Sequence, residues 1–389
     1  MRNPAMKTRT AAICACLILS MALLCACSGI VSTENTPHFR GLGNGWQPIS
    51  SMELKFARNF SVDYYEGGCA LICISDGSRF LVVPEDCDVP DGIDKDIVII
   101  RKPVNKIYLV ATSAMCLFDA LGSLDSIAMS GTDADGWFVH NARTAMENGD
   151  ILYAGKYSKP DYELILSNGC KLAIQSTMIN HTPEVKEKLE ELGIPVLVEQ
   201  SSAEKHPLGR TEWIKLYAVL TGKEAEAERI FDEQVSYLNS VSNLPKTGKT
   251  VAFFYISSAG SVIARKSGDY VTKMISLAGG KYIFDHLGDP ETATSTVTLE
   301  MEEFYAAAKD ADCIIYNSTI DGGVNSLEEL IGKNKLLADF KAVKNGDVWC
   351  TSKNLYQETT QLGLMISDIH DMLVSGGDLK QLHFMNRLQ

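Results

Sequence analysis

One stretch constrains this chain more than any other. From Pro207 to about Val241 the residues read as a single long helical run. Trp213, Leu216, Tyr217 and Leu220 fall at helical spacing, and Ala225, Ile230, Phe231, Val235 and Leu238 carry a second apolar face. About 35 residues of helix would span roughly 50 Å, the width of a domain pair rather than of one crossover. Thr221-Gly222-Lys223-Glu224 is able to re-cap the run, so a kink is allowed there. Strands alternate with helices on both sides of it. Before it come strands at Lys106–Ala111, Ser126–Met129, Lys171–Ile174 and Pro195–Val198, with helices at Thr112–Leu121, Tyr162–Leu166 and Pro183–Leu192. After it come strands at Thr250–Ile256, Cys313–Tyr316 and Asp347–Cys350, with helices at Tyr270–Leu277, Met301–Lys309, Leu327–Leu330 and Thr359–Val374. Such alternation implies mainly parallel sheets. The expected fold class is α/β: two α/β lobes joined by one long α-helix, with a cleft between them.

The amino terminus sets the compartment. Arg2, Lys7 and Arg9 precede an apolar run from Ala11 to about Ala26, too short for a membrane span and suited to a signal peptide core. It ends in Leu24-Cys25-Ala26-Cys27, which resembles the bacterial lipoprotein signal. That resemblance implies cleavage before Cys27 and lipidation of its thiol. The alternative is an ordinary secretory signal that happens to contain cysteine. Either way the protein is expected to work outside the cytoplasmic membrane.

Charge narrows the partners. The whole chain carries a net −13, and residues 1–26 hold three basic and no acidic side chains, so the mature part carries −16. That balance argues against nucleic acid and against an anionic membrane surface. Attachment to the membrane then falls to the lipid. Beyond Cys27 the cysteines are Cys69, Cys73, Cys87, Cys116, Cys170, Cys313 and Cys350, an odd number set mostly in apolar runs. Buried free thiols are the better reading than a disulfide framework.

The organisation follows. Residues 1–26 are the signal segment. Residues 27–48, rich in Gly, Ser, Thr, Asn and Pro, form a lipid-anchored flexible tether. Residues 49–205 form the first lobe, with an added β-hairpin region over 49–104 marked by Asp76-Gly77 between β-rich runs. Residues 206–246 link to the second lobe, 247–389. One unit recurs. Glu163 and Glu303 each open a short helix followed by a polar turn and a strand, Leu172–Ile174 or Cys313–Ile315. A carboxylate there stabilises a helix start, which is reason enough for either glutamate alone. Their pairing across the two halves suggests more.

At this point the chain resembles the substrate-binding lipoproteins of ABC importers for iron-siderophores, haem and vitamin B12 (cobalamin), class III periplasmic binding proteins. The match covers about residues 100–375. It rests on Lys106-Ile-Tyr-Leu-Val-Ala-Thr, Leu121-Gly-Ser-Leu-Asp-Ser-Ile, Ala154-Gly-Lys-Tyr-Ser-Lys-Pro-Asp-Tyr-Glu163, Leu192-Gly-Ile-Pro-Val, the long helix and Leu277-Ala-Gly-Gly280. The resemblance implies a monomer that captures a metal chelate, haem or corrinoid and delivers it to an ABC permease dimer with a cytoplasmic ATPase. It implies no catalysis and no resident cofactor or metal. It also implies that Glu163 and Glu303 dock on the permease. Glu302 competes for the second role, and separated carboxylates suit steering of this kind.

Ligands of open α/β sheets bind beyond the carboxyl ends of the strands. The candidate contacts there are Thr112, Trp137, Tyr153, Tyr157 and Ser176 in the first lobe. In the second they are Tyr255, Arg265, Lys266, Tyr270 and Tyr356. Aromatic rings suit a planar or macrocyclic ligand, and Arg265 and Lys266 suit carboxylates or an anionic chelate. Partial core packing for the rings, and a solvated turn for the basic pair, remain open alternatives. Two other classes stand beside the receptor: an extracellular ligand sensor, and a hydrolase. No Gly-x-Ser-x-Gly or His-Glu-x-x-His motif supports the hydrolase.

Overall fold

A computed structural model describes residues 41–43, 45–289, 295–375, 379 and 381–389. Cys27, the signal segment and most of the tether lie outside the described residues. Among the described residues the strands form three sheets.

The first sheet is the added region. Its strands are β1 (Ser50–Ser51), β2 (Phe60–Tyr64), β3 (Ala70–Ile74), β4 (Arg79–Pro84) and β5 (Ile97–Lys102), in that spatial order. β3 and β4 pair antiparallel across the Asp76-Gly77 turn, where the Asp76 carboxylate accepts from the Ser78 amide at 2.9 Å. β5 returns parallel to β4. The sequence reading of a hairpin attached to the first lobe is therefore refined. These residues make a sheet of their own, joined by strand pairing to neither lobe. Both its faces are covered, which explains why Ala-Leu-Ile-Cys-Ile in β3 is apolar without alternation. Phe60, Val62, Ile72, Phe80 and Val82 enter the main core, while Leu71, Cys73, Leu81 and Val83 pack on Leu42 and Tyr65.

The first lobe follows. Its elements are β6 (Ile107–Leu109), α1 (Thr112–Ala120), β7 (Ile127–Ser130), α2 (His140–Glu147), β8 (Leu152–Tyr153), α3 (Tyr162–Ser167), β9 (Leu172–Ser176), α4 (Pro183–Glu191) and β10 (Val196–Glu199). All five strands run parallel in the order β10-β9-β6-β7-β8. The order reverses at β6, so a crevice opens beyond the ends of β6 and β9.

The connector differs from the expected single rod. It consists of α5 (Pro207–Glu212), α6 (Ile214–Thr221) and α7 (Glu224–Ser242). Gly222 takes the left-handed conformation, φ +72, and ends α6 as a C-cap. The local re-capping signal prevails over the continuous apolar spacing. α6 is then buried on every side from Ile214 to Leu220, between the added sheet, α1 and α7.

The second lobe contains β11 (Thr250–Ile256), β12 (Val262–Arg265), α8 (Tyr270–Leu277), β13 (Lys281–Tyr282), β14 (Thr296–Leu299) and α9 (Met301–Ala308). It continues through β15 (Cys313–Tyr316), α10 (Leu327–Lys333), α11 (Lys341–Asn345), β16 (Val348–Thr351), α12 (Leu362–Val374) and β17 (Met385–Arg387). β11, β15 and β16 are parallel, whereas β12, β14 and β17 are antiparallel additions that the alternation did not reveal. α12 packs on α7.

The added sheet is strapped to the connector by buried carboxylates. Glu212 is 0% exposed, and its two oxygens accept from the amides of Lys55, Phe56 and Ala57, each at 2.8 Å. Glu204 accepts from the amides of Arg58 and Asn59 and from Trp213 Nε1 at 3.0 Å. Lys215 pairs with Glu212 and with Glu228 across the Gly222 break, at 3.4 and 2.8 Å. A side chain at Gly209 would meet the Phe56 carbonyl oxygen at 3.2 Å, so a larger residue there would push the two segments apart by a few tenths of an ångström. His206 stacks on Phe56 with ring centroids 4.2 Å apart, and its Nδ1 accepts from the Leu208 amide at 3.2 Å, capping α5. Burial, with Lys273 and Arg58 nearby, lowers the His206 ring to about 4.

Among the described residues no disulfide joins Cys69, Cys73, Cys87, Cys116, Cys170, Cys313 or Cys350 to another cysteine. Burial pushes Cys73 and Cys313 up to about 11 and Cys116 up to about 12.

Two outcomes test the strap. Glu212→Ala strands three backbone donors and Lys215, and is expected to cost at least about 3 kcal/mol in a denaturant titration. A loss within experimental error would show that the strap carries no stability. His206 is held neutral when folded, so its own contribution to stability falls as pH drops from 6.5, its ordinary value, to about 4, and levels off below that. His206→Asn keeps a capping acceptor that does not titrate, and should flatten the melting temperature across that window.

Candidate functional site

The second lobe assembles most of the expected contacts at the ends of its strands. Arg265 closes β12. Its Nη1 lies 3.3 Å from Asp269 Oδ2, and its Nη2 donates to the Tyr356 hydroxyl. Asn317, just beyond β15, donates to the same hydroxyl at 2.9 Å. Asp269 also caps α8, accepting from the Val271 amide at 2.9 Å. The Tyr282 hydroxyl donates to the Arg265 carbonyl at 2.8 Å and fixes the backbone behind the guanidinium. Burial opposes the Arg265 charge, but Tyr356, Asp269 and Tyr270 outweigh it and raise its pKa. Burial pushes the Asp269 carboxyl up, with Arg265 the main opposing charge. Tyr255, half-buried near the end of β11, lies in the field of Asp321, Arg265 and Tyr356, and burial raises its hydroxyl.

Arg210, in α5 of the connector, belongs to this group. Its guanidinium lies 3.8 Å from the centroid of the Tyr270 ring, and its Nη2 donates to the Ser202 carbonyl at 2.6 Å. Tyr270 is consequently buried beneath a cation rather than open for stacking. Among the described residues Lys266 bonds through its backbone, its amide donating to the Ser295 carbonyl and its own carbonyl accepting from the Thr272 hydroxyl.

The first lobe carries a different set of groups at its strand ends. Thr112 is exposed at the start of α1, and Ser176 ends β9, so both sit at the crevice where the strand order reverses. Ser113 donates to the buried Glu199 carboxylate at 3.2 Å, and the Ser201 amide donates to it at 3.0 Å. Burial pushes that carboxyl up, with Ser201, Arg210 and Ser113 opposing. Tyr153 is 49% exposed, while Tyr157 packs against the apolar cluster beneath the sheet.

Trp137 requires a correction. It is 1% exposed, and its Nε1 donates to Ser130 Oγ and the Thr132 carbonyl, both at 3.2 Å. It anchors its loop instead of offering a face to a ligand. The open ring is its neighbour Phe138, 47% exposed, which sequence reasoning missed. Gln357, next to Tyr356, reaches across to this loop and was missed as well. Its Nε2 donates to the Gly136 carbonyl and its Oε1 accepts from the Phe138 amide, each at 2.8 Å. A bond between residues so distant in sequence has no local signal.

The repeated unit has equivalent surroundings in both lobes. α3 leads into β9 beside β6, and α9 leads into β15 beside β11. Glu163 and Glu303 each occupy the first turn, exposed and without an ion pair among the described residues.

The model of a periplasmic binding protein family matches residues 113–355, more than half of the chain. The chain belongs to that family. An uncharacterized lipoprotein of Methanocaldococcus jannaschii is 27% identical over 348 residues, covering 81% of this chain and 79% of the relative. Two solved structures share the architecture. The periplasmic heme binding protein HutB of Vibrio cholerae has a TM-score of 0.55 at 16% identity, covering 68% of this chain and 98% of its own. The periplasmic vitamin B12 binding protein BtuF of the same organism has a TM-score of 0.51 at 16% identity, covering 71% and 99%. At such identity the likeness speaks to the fold, the two-lobed class III periplasmic binding protein. No helix among the described residues is long and apolar enough to cross a membrane.

Proposed function

We propose that this periplasmic binding protein captures a metal chelate, haem or corrinoid between its lobes and delivers it to an ABC permease at the membrane. The observation that carries the reading is the convergence of Arg265, Tyr356, Asn317, Tyr255 and the Arg210–Tyr270 pair at the strand ends of the second lobe. Two guanidinium groups, with the Asp269 carboxylate beside both and Glu199 also near Arg210, suit an anionic ligand, and tyrosine hydroxyls suit a hard metal or its oxygen donors. Phe138 and Tyr153 on the first lobe supply exposed rings for a planar or macrocyclic face. Thr112 and Ser176 add hydroxyls at the crevice.

Docking on the permease is assigned to Glu163 and Glu303, with Glu302 beside the latter. Their equivalent topology and exposure support this, since a pair of carboxylates on a negative protein orients an approach to basic partners. Anchoring is assigned to a lipid on Cys27, in keeping with the lipoprotein relative. It raises the effective concentration near the permease.

Purified protein without the signal segment and Cys27 (residues 28–389) tests the ligand class. Haem, cobalamin and ferric siderophores are added in turn while the absorption spectrum and melting temperature are followed. At least one should shift both, and silence from all three classes would sink the reading. With the responding ligand, Arg265→Ala or Tyr356→Phe is expected to weaken binding roughly tenfold or more. Glu163→Ala combined with Glu303→Ala should abolish uptake by cells while leaving that affinity intact. Lost affinity, or normal uptake, would remove the docking assignment.

A further inference from the structure

The lobes are joined by more than the connector. After β16 the chain makes two short 3-10 turns, Leu355–Gln357 and Thr359–Gln361, and these lie on α1 of the first lobe. The stretch is held along its length. The Thr359 carbonyl accepts from Thr211 Oγ1 at 2.7 Å, and the amides of Gly363 and Leu364 donate to Gln234 Oε1 at 3.1 and 3.2 Å. At its beginning stands Tyr356, in the candidate site, with Gln357 beside it.

Gln357 makes a two-point contact. A carboxamide carries a donor and an acceptor side by side, and here they meet the Gly136 carbonyl and the Phe138 amide as one extended strand would meet another. The target is rigid because Trp137, between those two residues, is buried and hydrogen-bonded to Ser130 and Thr132. The Asp133 carboxylate further fixes the turn by accepting from the Gly136 amide at 3.1 Å. One end of the contact is therefore fixed to the first lobe and the other adjoins Tyr356, which Arg265 and Asn317 hold in the second.

We propose that Gln357 is a cross-lobe tie that sets the spacing of the lobes in the ligand-free protein and keeps Tyr356 facing the Phe138 loop. The bond to Phe138 is reached by water, so its net strength is modest and opening can break it. That suits a tie that yields, in contrast to the buried carboxylate strap. The consequence for a ligand rests on the binding reading above: a group seated on Tyr356 displaces or reinforces the neighbouring amide pair. The tie itself is independent of which ligand enters.

Amide hydrogen exchange at Phe138 reads the bond directly, and small-angle scattering reads the lobe spacing, both on purified ligand-free protein. Gln357→Ala is expected to speed Phe138 exchange roughly tenfold and to enlarge the radius of gyration. Gln357→Glu keeps an acceptor for the Phe138 amide but loses the donor to Gly136, so an intermediate rate is expected. Unchanged exchange in both variants overturns the tie. Faster exchange without any change in scattering also overturns it, because Gln357 would then only steady a loop. If Gln357→Ala accelerates exchange throughout the chain, Gln357→Glu decides: acceleration confined to residues 136–138 with a changed radius supports the tie, and a uniform effect overturns it. Since no ligand is present, failure here is separate from failure of the proposed ligand class.

Discussion

A carboxylate with no access to water pins the added sheet to the helices between the lobes. Glu212 gathers the amides of residues 55–57, and Glu204 gathers those of 58 and 59. A buried carboxylate is costly unless its oxygens are filled by donors, and here a run of backbone amides does most of the filling, with Trp213 and Lys215 adding to it. The result is a five-stranded sheet pinned to the helices that join the lobes. The connector needs such support. Gly222 interrupts it, and a broken helix transmits orientation poorly. The sheet grips α5 and α6 on one side of the break, and Lys55 reaches Asp232 in α7 on the other at 2.8 Å. The family match begins only after this sheet has ended, so the splint is an addition to the shared architecture.

Much of the fold is legible in the residues. Alternation of apolar strands with amphipathic helices reveals the parallel sheet of the first lobe and the parallel centre of the second. Asp76-Gly77 reveals a hairpin because few other pairs tolerate that turn. What escapes reading is whatever depends on distant chain. Glu212 looks in sequence like any helical glutamate facing solvent, and nothing local announces that three amides some 155 residues away will enclose it. The Gly222 break was marked by its re-capping tetrad, but the apolar spacing on either side argued equally for continuity. Burial of α6 on all faces, a tertiary fact, accommodates the break.

The candidate site follows the same division. Arg265, Tyr255 and Tyr356 are readable because strand ends of α/β sheets face ligands, and the fold brings these three together. Rings are harder, because composition does not tell which side of a loop is wet. Trp137 and Phe138 are adjacent, and the larger ring turns inward to hydrogen-bond while the smaller one turns out. Tyr270 lies at a helix start suited to the cleft, yet Arg210 from the connector covers it. Asp269, Arg210 and Gln357 draw their importance from partners in other elements. A cleft whose two walls are set by separate lobes is the kind of site that a linear reading recovers one wall at a time.

The thiols bear on how such a chain survives outside the cell membrane. Exchange with a disulfide requires the thiolate, and a group with a pKa of about 11, as at Cys73 and Cys313, presents it in roughly one molecule in ten thousand at neutral pH. Cys116, at about 12, presents still less. The three sheets and the helices over them thus act as a kinetic shield. Mispairing with a small-molecule disulfide is slowed by the packing itself, so these cysteines require neither a reducing habitat nor a partner cysteine to persist. At Cys73, Cys116 and Cys313 the choice of cysteine consequently reflects how densely the sheets are covered, whereas Cys87 and Cys170 are only partly buried.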